Sequence, residues 1–163
     1  MKYFIILAAF FFSCTQQQKN SETIITDTNA VAAAAGDTIP VVKSNCYMQV
    51  LKRDTMVASI MQSDDVITGK LTFDNFEKDG SSGPIQGKLS DGIIKAWYNF
   101  ESEGMQSVME VWLKMDDSSL TRGYGPVKMK GDTNYFSEPT AVKFDNNQQM
   151  KKTDCAAVPV KYQ

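Results

Sequence analysis

No histidine occurs anywhere in the 163 residues. That absence removes Ser-His-Asp and Cys-His catalysis, histidine metal ligation and the usual side-chain switch between about pH 5 and 8. An excess of one charge is also missing. Seventeen basic and 19 acidic side chains leave a net charge of −2, so no basic face is on offer to nucleic acid. Cysteine is sparse, with only Cys14, Cys46 and Cys155. Helical periodicity is not sustained anywhere, and the single long apolar run lies at the N-terminus. Without histidine or a usable thiol, only carboxylate or Ser/Lys chemistry remains, and no constellation supports it. The expectation is a protein that is not an enzyme and needs neither metal nor cofactor.

What is present is alternation. Residues 85–113 form three alternating runs divided by Asp91-Gly92 and Glu103-Gly104. Asp-Gly between such runs is the strongest short-range hairpin signal, and Glu-Gly is a weaker one. A two-residue turn at the first sets Leu89 against Ile94, Gly87 against Ala96 and Ile85 against Tyr98. A second at Glu103-Gly104 sets Phe100 against Ser107, Tyr98 against Met109, Ala96 against Val111 and Ile94 against Leu113. Both registers place Ile94, Ala96, Tyr98 and Phe100 on one apolar face, and a one-residue slip in either would break that agreement.

Similar patterns flank this meander. Cys46–Leu51 and Thr55–Gln62 read as strands joined at Arg53-Asp54, with their register open by one residue. A turn at Asp64-Asp65 sets Ile60 against Gly69, Ala58 against Leu71 and Met56 against Phe73. A turn at Asp116-Asp117 would bring Leu120 opposite Leu113 and start a strand through Arg122 to Tyr124. Tyr135-Phe136 and Ala141–Phe144 suggest one or two more strands, and Thr153–Val158 a last one. The sum is an all-β domain of about 7–9 strands in a single antiparallel meander. It is expected to close into a small lipocalin-like barrel. A β-sandwich is the alternative, with the segment from Gly125 to Pro139 as its long crossing link.

The N-terminus carries a different message. Met1-Lys2 and the apolar run Tyr3–Phe12 have signal-peptide length, too short to span a bilayer as a stable anchor. The following Ser13-Cys14 resembles a lipobox, with Phe11 where leucine is commonest. The resemblance implies a signal peptide at 1–13 and lipidation of Cys14, followed by a flexible tether over 14–43 and the barrel domain over 44–163. Two or more acyl chains would anchor the protein stably to a membrane. Val66, Gly69, Leu71, Gly83, Gly87, Asp91-Gly92, Tyr98, Phe100 and Gly123-Tyr124-Gly125 together resemble uncharacterised envelope lipoproteins of Bacteroidota. The resemblance implies a cell-envelope address and names no activity. Thr15 after the cysteine looks like an outer-membrane destination, and the absence of acidic residues in Gln16–Lys19 favours facing the periplasm. In an oxidising envelope Cys46 and Cys155 form an even pair and are expected to make a disulfide, the alternative being two free buried thiols.

Two sets of residues are candidates for binding. Met56, Phe73, Tyr98 and Met109 would line the barrel interior and hold a small apolar ligand. Trp97 and Trp112 share the opposite face, and if both are exposed they could bind an envelope protein or a glycan. The acidic loop Asp74–Asp79 offers three carboxylates, but their spacing matches no EF-hand and leaves calcium binding undecided. Gly83-x-x-x-Gly87-Lys88 is one residue short of a phosphate loop and precedes no helix.

Overall fold

Two-residue turns set the architecture. The structure, a computed structural model, describes residues 41–163. The expected signal peptide, the lipidation expected at Cys14 and the expected tether as far as residue 40 lie outside the described residues. Strands β4 (Ser81–Ser90), β5 (Ile93–Ser102) and β6 (Met105–Asp116) form the expected meander. Asp91, Gly92, Glu103 and Gly104 all have positive φ, at 52°, 74°, 52° and 72°. Positive φ at both central residues matches the twist of a tight hairpin, and glycine adopts it without a Cβ penalty. Every cross-strand pair expected from these two turns is present, including Leu89 with Ile94 and Tyr98 with Met109. Gly87 is required beside Ala96, because a Cβ there would overlap the Lys95 carbonyl oxygen and the Ala96 side chain.

The meander extends on both sides. Strands β1 (Lys43–Leu51), β2 (Asp54–Ser63) and β3 (Val66–Asp74) precede it. Strands β7 (Ser119–Tyr124), β8 (Val127–Lys130), β9 (Thr133–Phe136) and β10 (Lys143–Thr153) follow. The order β5-β4-β3-β2-β1-β10-β7-β6 closes through pairing of β5 with β6. The result is an eight-stranded antiparallel barrel, in which closure leaves no free edge around the ring. The β8–β9 hairpin is an excursion outside it. It touches the barrel through a short parallel pairing of Val108 and Met109 with Thr133 and Asn134. The segment proposed as a sandwich crossing is therefore this hairpin.

Three expectations are corrected. The β1–β2 turn is Lys52-Arg53, which resolves the open register with Tyr47 opposite Ala58. The β6–β7 turn is Asp117-Ser118, so Leu120 faces Met115 and Arg122 faces Leu113. That is a slip of two residues, which preserves the faces and so is invisible to an alternating pattern. Thr153–Val158 is not a strand. β10 ends at Thr153, and Asp154 then caps a single 3-10 turn at Cys155–Ala157 by accepting a hydrogen bond from the Ala156 amide.

Inward-facing Tyr47, Ala58, Ile60, Leu71, Ile94, Tyr98, Leu113, Leu120 and Met150 fill the barrel. Full burial of each large aliphatic side chain among them contributes about 1.5–3 kcal/mol. A second cluster lies on the outer wall, where Val158 and Tyr162 of the C-terminal segment cover Cys46 and Val57. Cys46 and Cys155 are disulfide-bonded across a Cα–Cα distance of 5.1 Å. Tyr162 and Lys161 both donate to Asp74 Oδ2, at 2.6 and 2.8 Å, and clamp the far end of the segment to β3.

Candidate functional site

The barrel has two unlike ends. One carries the tight turns after β2, β4 and β6. The other carries the β1–β2 turn, the loop after β3, the β5–β6 turn and the departure towards β8. At this second end Arg122 points inwards, on the same face of β7 as Leu120. Its guanidinium carbon lies 4.5 Å from the Phe73 ring centroid, in a cation–π geometry. Phe73 meets Tyr98 edge to face at 5.9 Å, and Tyr98 stacks on Phe100 at 4.7 Å. The Tyr98 hydroxyl donates to Ser81 Oγ at 3.1 Å. Below the arginine lies an aromatic floor.

The wall beside Arg122 is made by an irregularity in β10. Phe144 pairs with Gly123 and Gln149 with Thr121, so Asp145, Asn146, Asn147 and Gln148 bow out opposite the single residue Arg122. The Asn147 amide donates to Asp145 Oδ1 at 2.8 Å and fixes the bow. Two recesses result. One of about 180 Å³ is lined by Met56, Phe73, Arg122, Gln49 and Asn147 among others. The other, about 430 Å³ and more open, lies between Arg122, Tyr124, Asp145, Asn147 and Gln148.

Electrostatics at this mouth turn on one cation. Burial draws the Arg122 guanidinium down from its ordinary value, an effect partly opposed by Tyr98. Burial pushes the Tyr98 phenol up, while the Ser81 hydrogen bond and the Arg122 charge pull it back. Among the described residues, the ion pairs are Lys88–Asp65, Lys114–Asp116 and Lys161–Asp74, and Arg122 belongs to none of them.

Of the four interior candidates, Met56 and Phe73 line the smaller recess. Tyr98 is fully buried beneath it, and Met109 packs against the core from the side. Buried side chains fill the barrel's waist, and the recess that Met56 and Phe73 line lies at the mouth. Arg122 was not among the candidates. The signal that would have found it is its position two residues from Leu120, which puts a charge on an inward face.

The tryptophan pair is divided by the structure. Trp97 is 47% exposed, whereas Trp112 is 8% exposed. β9 covers Trp112, with the Phe136 ring edge-on at 5.7 Å and the Lys95 ammonium 4.0 Å from the indole centroid. Glu110 ties this packing together, accepting from Trp112 Nε1 at 2.7 Å and from the Phe136 amide at 2.9 Å. The expected two-tryptophan face is therefore one exposed indole. Trp97 floors an apolar groove of about 650 Å³ with Val108, Thr133 and Tyr135.

The acidic loop is partly committed elsewhere. Asp74 is held by Lys161 and Tyr162, whose hydrogen bonds keep its carboxyl below the usual range. Asp79 approaches Glu103, and the hydrogen bond and charge between them raise the Glu103 carboxyl. Among the described residues, no group of three or more acidic or cysteine side chains is placed to hold a metal ion. Comparison with protein-family models, curated proteins and solved structures yields no match to this chain.

Proposed function

We propose that this protein is a lipid-anchored component of the bacterial cell envelope, held at the outer membrane by Cys14 and facing the periplasm. In this reading its barrel binds a small ligand with an apolar body at the Arg122 mouth and performs no chemistry on it. The observation that carries the reading is the recess itself. Leu51, Met56 and Phe73 supply apolar surface, and four amide side chains, the Asp54 carboxylate and the Arg122 cation surround it. Apolar surface beside convergent polar groups that fix orientation is a feature of small-molecule sites. The envelope address is supported by the lipobox-like Ser13-Cys14 and by the Cys46–Cys155 disulfide, which persists in an oxidising compartment. Native mass spectrometry of the detergent-extracted full-length protein tests both parts. The expected spectrum shows acylated Cys14 and a non-covalent small molecule. An unacylated mass removes the anchor, and an acylated protein with nothing bound removes the carrier role.

A second reading is favoured by the groove around Trp97. Its half-exposed indole, with Tyr135 and Val108, suits an envelope protein partner using the outer wall of the barrel. Trp97→Ala would then abolish partner capture from envelope extracts without changing the thermal midpoint. Retained capture would exclude it.

A further inference from the structure

The mouth holds an arginine that no described carboxylate contacts. An arginine drawn into a barrel loses water from part of its guanidinium, a cost ordinarily offset by a carboxylate or by several hydrogen bonds. Arg122 has instead the face of Phe73 and, among the described residues, no ion-pair partner. Two carboxylates line the recesses beside it, Asp54 and Asp145. Each is already engaged by a backbone amide: Asp54 Oδ1 accepts from Phe76 N at 2.7 Å, and Asp145 Oδ1 accepts from Asn147 N. Neither lies within 4.0 Å of a guanidinium nitrogen. The amides of Gln49, Asn75, Asn147 and Gln148 line the same rim and can donate to an anion.

We propose that the ligand of this mouth is a monocarboxylate on a short apolar body, its carboxylate held in a fork by Arg122 and its body lying on Phe73 and Met56. The inference rests on the reading that the mouth binds a small ligand, and it names that ligand's class. Three features select it. The planar guanidinium matches a carboxylate through two parallel N–H donors. Arg122 is the one cation lining recesses that also carry Asp54 and Asp145, so a singly charged anion meets less repulsion there than a dianionic phosphate would. The smaller recess, about 180 Å³, has room for about six groups of water or methylene size at roughly 30 Å³ each, which suits a short chain.

The test uses hexanoate labelled with ¹³C at its carboxyl, titrated into the full-length protein in detergent and followed by NMR. Competition by unlabelled hexanoate, 1-hexanol and hexylamine gives their relative affinities. The expected result is a saturable one-to-one shift of the carboxyl carbon, with 1-hexanol weaker by about tenfold or more and hexylamine without effect. Arg122→Gln should weaken hexanoate by a similar factor and leave 1-hexanol unchanged, while Arg122→Lys should recover only part of the loss. Equal affinity for hexanoate and 1-hexanol would overturn the carboxylate assignment while leaving a ligand-binding mouth in place. No saturable shift of hexanoate would overturn the assignment and, together with an empty native mass spectrum, the ligand reading as well. The comparison of the three ligands on the unaltered protein decides the question even if the Arg122 variants fail to fold.

Discussion

Reducing the Cys46–Cys155 bridge should lower stability by an amount the chain length sets. The bridge joins residues 109 apart in sequence. In the chain-entropy account, a closed loop of that length removes about 16 cal/mol/K from the unfolded ensemble, or about 4.8 kcal/mol at 25 °C. The domain over 44–163 unfolds with an entropy of roughly 250 cal/mol/K, at about 2.1 cal/mol/K per residue. The quotient is a fall in the thermal midpoint of about 19 °C. Residual structure in the open chain reduces this, so a fall of about 10–20 °C is expected. Calorimetry on the oxidised protein, the same protein reduced in place, and the Cys46→Ala/Cys155→Ala variant separates the contributions. Reduction changes only the cross-link, whereas the variant also empties volume on the outer wall. A fall below about 5 °C on reduction would refute the loop-entropy reasoning. It would mean that the β1–β10 pairing already holds the two ends together in the unfolded ensemble.

Other expectations follow from the same contacts. Trp112→Ala should cost about 3–5 kcal/mol in denaturant unfolding because it empties a packed site, whereas Trp97→Ala should stay within about 1 kcal/mol. Equal costs would contradict the division between them. Glu110→Ala leaves the Trp112 indole N–H and the Phe136 amide without their acceptor, a loss of about 1–3 kcal/mol, with faster hydrogen exchange expected across 127–136. Because the Asp74 carboxyl is held below its unfolded value, its contribution is present above the ordinary carboxylate range and is lost as pH falls through the lowered value. Protection of residues 155–163 should therefore fall in strong acid, and Asp74→Asn should remove that dependence. Glu103 has the opposite sign. Its carboxyl is raised by Asp79, so the ionised form is disfavoured in the fold and stability is lost as pH rises past the carboxylate range. Glu103→Gln should raise the thermal midpoint at pH 7 and leave it unchanged near pH 3.

The meander was legible because turn chemistry and alternation agree there. Asp91-Gly92 and Glu103-Gly104 accept positive φ, and each register check uses the same four inward residues. Legibility ends where those two signals part. Four consecutive turn-competent residues, Asp116 to Ser119, allow two registers that bury the same face, and only closure of the ring selects one. β10 gave almost no signal, since Lys143–Thr153 is mostly polar and takes its strand form from partners on both sides. The cover over Trp112 comes from Phe136, 24 residues along the chain, and no local pattern reports it. The inward position of Arg122 is readable from Leu120 two residues before it, whereas the bow in β10 that leaves room beside it has no local sequence signal.

The hairpin outside the ring has a consequence for behaviour in a crowd. Closure gives the eight barrel strands hydrogen-bonded neighbours on both sides, but β8 pairs only with β9. Its outer row of amides and carbonyls is the kind of template on which a second polypeptide can build a growing sheet. All four of its residues are exposed, with Val127 and Met129 alternating with Lys128 and Lys130. Four residues give little length for such growth, and two lysines impose repulsion on an approaching copy. Replacing Lys128 and Lys130 with Val or Thr should leave the monomer's stability nearly unchanged and convert it into one that self-associates.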